Sequence, residues 1–213
     1  MHAPDAAAMP IPRLRRARAE DAPAAVPLLV EALDVLALEL AGVGMLADAW
    51  PTFRALFAQG GNRYGFEHVH VLDDGGTLAG VILAYPGRDE PALAAATLAW
   101  LAGRDPGRKL RHQPESRPDE FYLDALAVAA SHRGRGLAVR MIEAVCAAAA
   151  ARGHARAGLL VDKTKPGVQR LYQQAGFTVD GHCDLAGHRY VHMARGLSAR
   201  SGPAATVPSN TVV

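Results

Sequence analysis

Residues 126–144, LAVAASHRGRGLAVRMIEA, constrain this chain more than any other stretch. An apolar strand pattern runs into a short basic turn with two glycines, and an amphipathic helix follows at once. Such a turn leaves unpaired backbone N–H groups at the positive end of a helix dipole, which makes an anion site. Gly134 and Gly136 let a phosphate approach the backbone. Arg133 and Arg135 add positive charge, and Ala138 keeps the first helical turn slim. The same residues also fit a plain strand-to-helix turn with solvated arginines. Two other phosphate patterns fit worse: GRGLAV supplies only the first two glycines of GxGxxG, and GxxxxGK[ST] is absent.

The surrounding pattern supplies the fold. LRRARAED from Leu14 predicts a short strand leading into a helix over residues 21–40, with Val26, Leu29, Val30, Leu33, Leu36 and Leu40 at helical spacing. A second helix fits residues 48–59, closed by Gly60 and Gly61. Strands over 68–72 and 77–85 flank DDGG, a strong hairpin signal. A helix over 90–102 and a polar loop over 103–119 follow. Strands are expected over 121–129, 157–161, 177–183 and 187–195. Helices are expected over 136–152, with Leu137, Met141, Val145 and Ala148 on one face, and over 166–175. An early hairpin with late helix–strand alternation predicts an α+β fold: a mixed, mostly antiparallel central sheet flanked by helices. One domain spans 13–197. Residues 1–12 read as a disordered leader, and 198–213 as a disordered tail.

Composition narrows the function. The chain has 213 residues and a formal net charge of +2, which argues against a nucleic-acid binder with its dense basic face. RGRG occurs once, without interleaved aromatics. No apolar run is long enough to span a bilayer, and no signal peptide is visible, so a cytoplasmic protein is expected. Cys146 and Cys183 read as reduced thiols.

RGRGLA, Arg133–Ala138, resembles the R/Q-x-x-G-x-G/A signature of the GNAT acyltransferase superfamily. LLVDKTKPGVQRLYQQAGF, residues 159–177, resembles that superfamily's strand and helix ending in L-Y-x-x-x-G-F, with Leu171, Tyr172, Gly176 and Phe177 in register. The resemblance implies a GNAT-like N-acetyltransferase with acetyl-CoA as cosubstrate. It implies that backbone at Leu126, Ala127 and Val128 binds the pantetheine arm. It also implies that the turn amides of Arg133, Gly134, Arg135, Gly136, Leu137, Ala138 and Val139 hold the pyrophosphate, and that Tyr172 lies near the thioester sulfur. Relatives often carry Asn where this chain has Lys165; lysine has no acceptor and would pair with a phosphate or face water.

Direct transfer needs a neutral amine, a stabilised oxyanion and a leaving thiolate. A phenol with a pKa of about 10 can protonate a thiolate whose parent thiol titrates near 8.5. Tyr172 also fits an apolar stripe with Val168, Leu171 and Ala175. Asp124, placed by strand alternation on the face of Leu126 and Val128, reads either as the base for the amine or as a hydrogen-bonded strand carboxylate. Glu120 is a second candidate base.

His182, His188 and His192 spread over two strands without carboxylate partners at ligand spacing, so no metal site is expected. They read as surface or substrate-pocket histidines. His68 and His70 share a strand face that borders either solvent or the acceptor pocket. RDPGRKLRHQPESR, residues 104–117, reads as a solvated mobile loop, or as one that contacts the acceptor or the cofactor. The acceptor is a small-molecule or peptide amine of unread identity, and a homodimer stays open. A non-catalytic acyl-CoA-binding regulatory module is the competing function.

Overall fold

The turn after Asp74 seeds the sheet. In the computed structural model, which describes residues 12–185 and 187–198, Gly75 and Gly76 take positive φ of 63° and 93°. Only glycine enters that region freely. The flanking strands β2 (Val69–Asp74) and β3 (Thr77–Pro86) pair antiparallel. Apart from Pro12 and Ser198, the expected leader and tail lie outside the described residues.

The remaining elements follow the expected order: β1 (Arg13–Arg16), α1 (Ala22–Leu33), α2 (Val35–Ala41), α3 (Leu46–Gln59), α4 (Glu90–Arg104), β4 (Phe121–Val128), α5 (Leu137–Ala151), β5 (Arg156–Asp162), α6 (Pro166–Gln174), β6 (Thr178–Leu185) and β7 (His188–Gly196). The sheet has seven strands in the order β1-β2-β3-β4-β5-β7-β6. Every neighbouring pair is antiparallel except β4 and β5.

Helices cover both faces. On one face, α1 and α3 bury Val26, Leu29, Val30, Phe53, Leu56 and Phe57 against Val81, Leu83, Tyr122 and Ala125. On the other, α5 buries Leu137, Met141, Val145 and Ala149 against Ile82, Leu123 and Leu159. The α5 stripe runs through Ala149; Ala148, expected inside, is exposed, because the step of three residues from Val145 falls short of the buried face. Gly80 sits where α5 crosses β3: a Cβ there would meet Ala127 O at 2.9 Å and Met141 Sδ at 3.0 Å.

Two departures from the sequence reading and one divergence within the sheet shape the site. The helix expected over 21–40 breaks at Asp34, a non-glycine residue with φ of 54°. The break leaves Val26, Leu29, Val30 and Leu33 in the core, while Leu36 and Leu40 are only half-buried. Second, β4 has a bulge: Leu83 pairs with Ala125 and Ala84 with Leu123, leaving Asp124 without a partner. The extra residue reverses the alternation. Third, β4 and β5 pair only at Phe121–Ala157 and Tyr122–Gly158, then diverge.

Candidate active site

Beyond Tyr122 the edge of β4 that faces β5 is released from the sheet, because a parallel ladder that stops after two pairs leaves the following peptide groups unbonded on that side. The divergence opens a cleft of about 790 Å³. Leu126, Ala127 and Val128 line one wall, and Leu160, Val161 and Asp162 the other. The turn after β4 closes one end, with Arg133, Gly134, Gly136, Leu137, Ala138 and Val139 in the lining.

The turn has the geometry of an anion cradle. Gly134 and Gly136 take φ of 75° and 70°, and a Cβ at either would meet nothing within 4 Å. Gly136 is the N-cap of α5, so the first N–H groups of that helix lack partners within it. Arg133 and Arg135 do not stand as free solvated charges. Arg133 donates from Nε to Val128 O at 3.0 Å and pairs through Nη2 with Glu31. Arg135 Nη1 lies 4.0 Å from Asp74 Oδ2, and His132 Nε2 lies 3.3 Å from the same carboxylate.

Lys165 lines the cleft with its side chain about half exposed. Its Nζ pairs with Asp34 Oδ2 at 2.8 Å, joining the start of α6 to the α1–α2 break. Tyr172 lines the cleft on α6 with Val168 and Leu171. Its ring packs edge-on against Phe177 with centroids 6.0 Å apart. Burial pushes its phenol up to about 12. The expected stripe is only partly packing: Ala175 is buried, but Val168 is 41% exposed.

Asp124 does not share a face with Leu126 and Val128. The bulge turns it to the side of Tyr85 and Tyr122, into the end of the cleft away from the glycine turn. There Arg63 Nε donates to Asp124 Oδ2 at 2.7 Å, and Tyr85 Oη donates to the same oxygen at 2.7 Å. The other oxygen, Oδ1, is buried without a hydrogen-bond partner among the described residues. Burial alone would lower the Arg63 pKa, but Asp124 and Glu115 more than offset it and hold the group charged. Burial pushes the Tyr85 phenol well above its ordinary range.

Sequence reasoning missed the partners of Asp124. Arg63 comes from the turn after α3. Glu115 comes from the 104–117 segment, which is exposed over 104–107 but docked at Arg108 and over 115–117. Glu90 accepts hydrogen bonds from Glu115 N and Ser116 N, both at 2.9 Å, and Arg117 pairs with Asp180 at 2.6 Å. Arg108 Nη1 donates to Leu40 O at 2.9 Å. Glu115 Oε1 lies 2.7 Å from Arg63 Nη2 as an ion pair, and Tyr122 Oη donates to Oε2 at 3.2 Å. Burial pushes the Glu115 carboxyl up to about 7, against the pull of Arg63. A lone aspartate in the apolar strand FYLDALAV was the available signal, because a buried carboxylate demands a cation.

The other candidates resolve differently. Glu120 is fully buried away from the cleft, accepting from Arg117 N at 2.9 Å and lying 3.2 Å from His192 Nε2. His192 is therefore buried and not at the surface, with Asp180 as a second acidic neighbour at 3.7 Å. His188 lies 3.4 Å from Asp162 and lines the cleft. Carboxylate partners are thus present, but among the described residues no group of three or more His, Cys, Asp or Glu could hold a metal ion. His68 precedes β2 and packs edge-on against Tyr85, with centroids 6.0 Å apart. Burial lowers His70 to about 4. Neither lines the cleft. Among the described residues no single helix is long and apolar enough to cross a membrane.

The GNAT acetyltransferase family model matches residues 43–177, more than half of the chain and the whole span from α3 to the end of α6. The chain belongs to the GNAT acetyltransferase family. An N-acetyltransferase from Staphylococcus aureus Mu50 superposes with a TM-score of 0.74 at 25% identity, covering 85% of this chain and 99% of that one. A second acetyltransferase gives 0.69 at 26% identity, over 87% and 100%. The ribosomal-protein-S18-alanine N-acetyltransferase from Escherichia coli shares the fold, with a TM-score of 0.55 at 16% identity over 95% and 100%. No curated protein matches the sequence. This GNAT enzyme thus has the mixed, helix-flanked sheet expected from its sequence.

Proposed function

We propose that this enzyme transfers an acetyl group from acetyl-CoA to a primary amine by direct transfer in a ternary complex, as a single domain over residues 13–197 acting in the cytoplasm. The divergence of β4 from β5 carries the reading. It leaves strand backbone at Leu126–Val128 beside a cleft that ends at an anion-binding helix start. An elongated molecule with amide groups along its length and a diphosphate at its end fits those two features in that order. The acceptor is a small-molecule or peptide amine; neither nucleic acid nor membrane enters the reading.

The chain's own groups supply the proton chemistry. Asp124 Oδ1 takes the proton of the incoming amine, directly or through water. Tyr172 delivers a proton to the leaving thiolate. With its phenol pushed up to about 12, it is protonated at any physiological pH.

Calorimetric titration of acetyl-CoA into wild type and into Gly136→Glu tests the reading. The substitution places a carboxylate where the diphosphate should sit. Micromolar binding by wild type, lost in a folded mutant, supports the cofactor assignment; no wild-type binding at millimolar acetyl-CoA overturns it. Binding without acetylation of any amine in a broad library would favour a non-catalytic acyl-CoA-binding regulatory module.

A further inference from the structure

A second, narrower cavity of about 60 Å³ adjoins the catalytic cleft. The two share Leu36, Glu115 and Leu185 in their linings. The narrow cavity is walled by α2, by α4 and by residues 110–115, so the α1–α2 break and the segment between β3 and β4 build it. Its hydrocarbon wall is Leu36, Leu40, Ala94, Leu98, Leu110 and Leu185. Its inner end holds Glu115 and Arg63, with Asp124 behind them in the cleft.

Charge separates the two ends. At the inner end two carboxylates, Asp124 and Glu115, share one guanidinium. With both ionised the cluster has one excess negative charge in a buried place, and a single ammonium neutralises it. Beyond Glu115 the cavity lining carries one carboxylate, Glu39. Glu39 and Arg111, both exposed, offer one charge of each sign. Burial keeps His112, another lining residue, on the side of its neutral form.

We propose that this cavity is the acceptor subsite and that it takes a primary monoamine on a slender apolar body, with the ammonium at Glu115 and Asp124 and the hydrocarbon along Leu40 and Leu98. The assignment rests on the acetyl-transfer reading for its chemistry, but its binding geometry is testable alone. An acceptor with a second charged amine at its far end places that charge against leucines and near Arg111, with only the exposed Glu39 to pair it, and an exposed pair offsets little of the cost. The amine enters beside α4 and reaches the cleft opposite the glycine turn.

Hexylamine, 1,6-diaminohexane, spermidine and a short lysine peptide are the probes, titrated by calorimetry with and without CoA. Hexylamine should bind at least about tenfold more tightly than any of the others, because only it avoids burying a second polar group. Leu98→Trp, which fills the cavity, should weaken hexylamine at least about tenfold while acetyl-CoA affinity stays unchanged; Leu98→Ala should retain hexylamine binding. Equal or tighter binding of a polyamine or the peptide overturns the assignment. So does hexylamine binding that Leu98→Trp leaves intact, or no hexylamine binding at all. Failure to form N-acetylhexylamine from bound hexylamine and acetyl-CoA would instead count against acetyl transfer, with the subsite still decided by the titrations.

Discussion

Arg63 Nε lies 2.7 Å from Asp124 Oδ2, and its Nη2 lies 2.7 Å from Glu115 Oε1, so one buried guanidinium serves two buried carboxylates. All three side chains are at most 7% exposed. Arg63→Leu would leave both carboxylates uncompensated. Removing one partner of a buried ion pair costs on the order of 3–5 kcal/mol. The melting temperature should therefore fall by roughly 10 °C, at about 2–4 °C per kcal/mol for a chain of this size. The loss should be larger at pH 8 than at pH 5.5, where protonated Glu115 no longer needs the cation. Equal losses at both pH values would show that Arg63 acts through packing alone.

Glu115 predicts opposite pH trends for stability and activity. An unfolded glutamate titrates near 4.3, whereas burial pushes Glu115 up to about 7. The folded chain therefore holds this proton more tightly. The stability it contributes is full below about pH 4.3 and is lost as pH rises through about 7. If Glu115 must be ionised to receive the acceptor, kcat/KM rises over that upper range. Arg63, Asp124, Tyr122 and Glu90 all face the group and are common to wild type and variant. Glu115→Gln should flatten both slopes. Urea midpoints and kcat/KM at half-unit steps from pH 5 to 8.5 check this, and slopes unchanged by the substitution would assign the titration to another group.

The glycine turn was legible because its geometry is local: strand, Gly134, Gly136 and helix lie within a dozen residues, and each constrains the next. Tyr172 was singled out through the resemblance of Leu171, Tyr172, Gly176 and Phe177 to the family's L-Y-x-x-x-G-F segment. The acid cluster was not. Arg63, Glu115 and Asp124 come from three segments, and only tertiary packing joins them. Asp124 was found but turned to the wrong face, because strand alternation fails at a bulge, and nothing in FYLDALAV marks one. The Asp34 break carries no glycine or proline, so periodicity ran through it and placed Leu36 and Leu40 in the core. Those same two leucines wall the narrow cavity.

Asp34 itself offers a stability test. Its φ of 54° with ψ of −122° lies where a side chain is strained and glycine is not. Its ion pair with Lys165 is partly exposed, at 44% and 46%, and contributes at most about 1 kcal/mol. Asp34→Gly should relieve strain of about 1–3 kcal/mol and stabilise the fold on balance, whereas Asp34→Ala keeps the strain, loses the pair and should destabilise it. Chemical denaturation of the two variants against wild type reads the difference. A glycine variant no more stable than the alanine variant would show that the break is held without backbone strain.

Tyr172→Phe separates chemistry from packing at the site. The ring that packs edge-on against Phe177 is retained, and only the hydroxyl is lost. Stability should change by less than about 1 kcal/mol, the usual scale for one net hydrogen-bonding group. Acetyl-CoA affinity should hold within about twofold, since the proposed anchors are backbone groups of β4 and the glycine turn. If the phenol protonates the leaving thiolate, kcat should fall by about 10²-fold, the lower range for a lost general acid. The deficit should shrink for a thioester whose thiol is more acidic, because a better leaving group needs the proton less. A fall in kcat that is the same for both thioesters would place the hydroxyl in positioning, and an unchanged kcat would leave Tyr172 as the packing partner of Phe177.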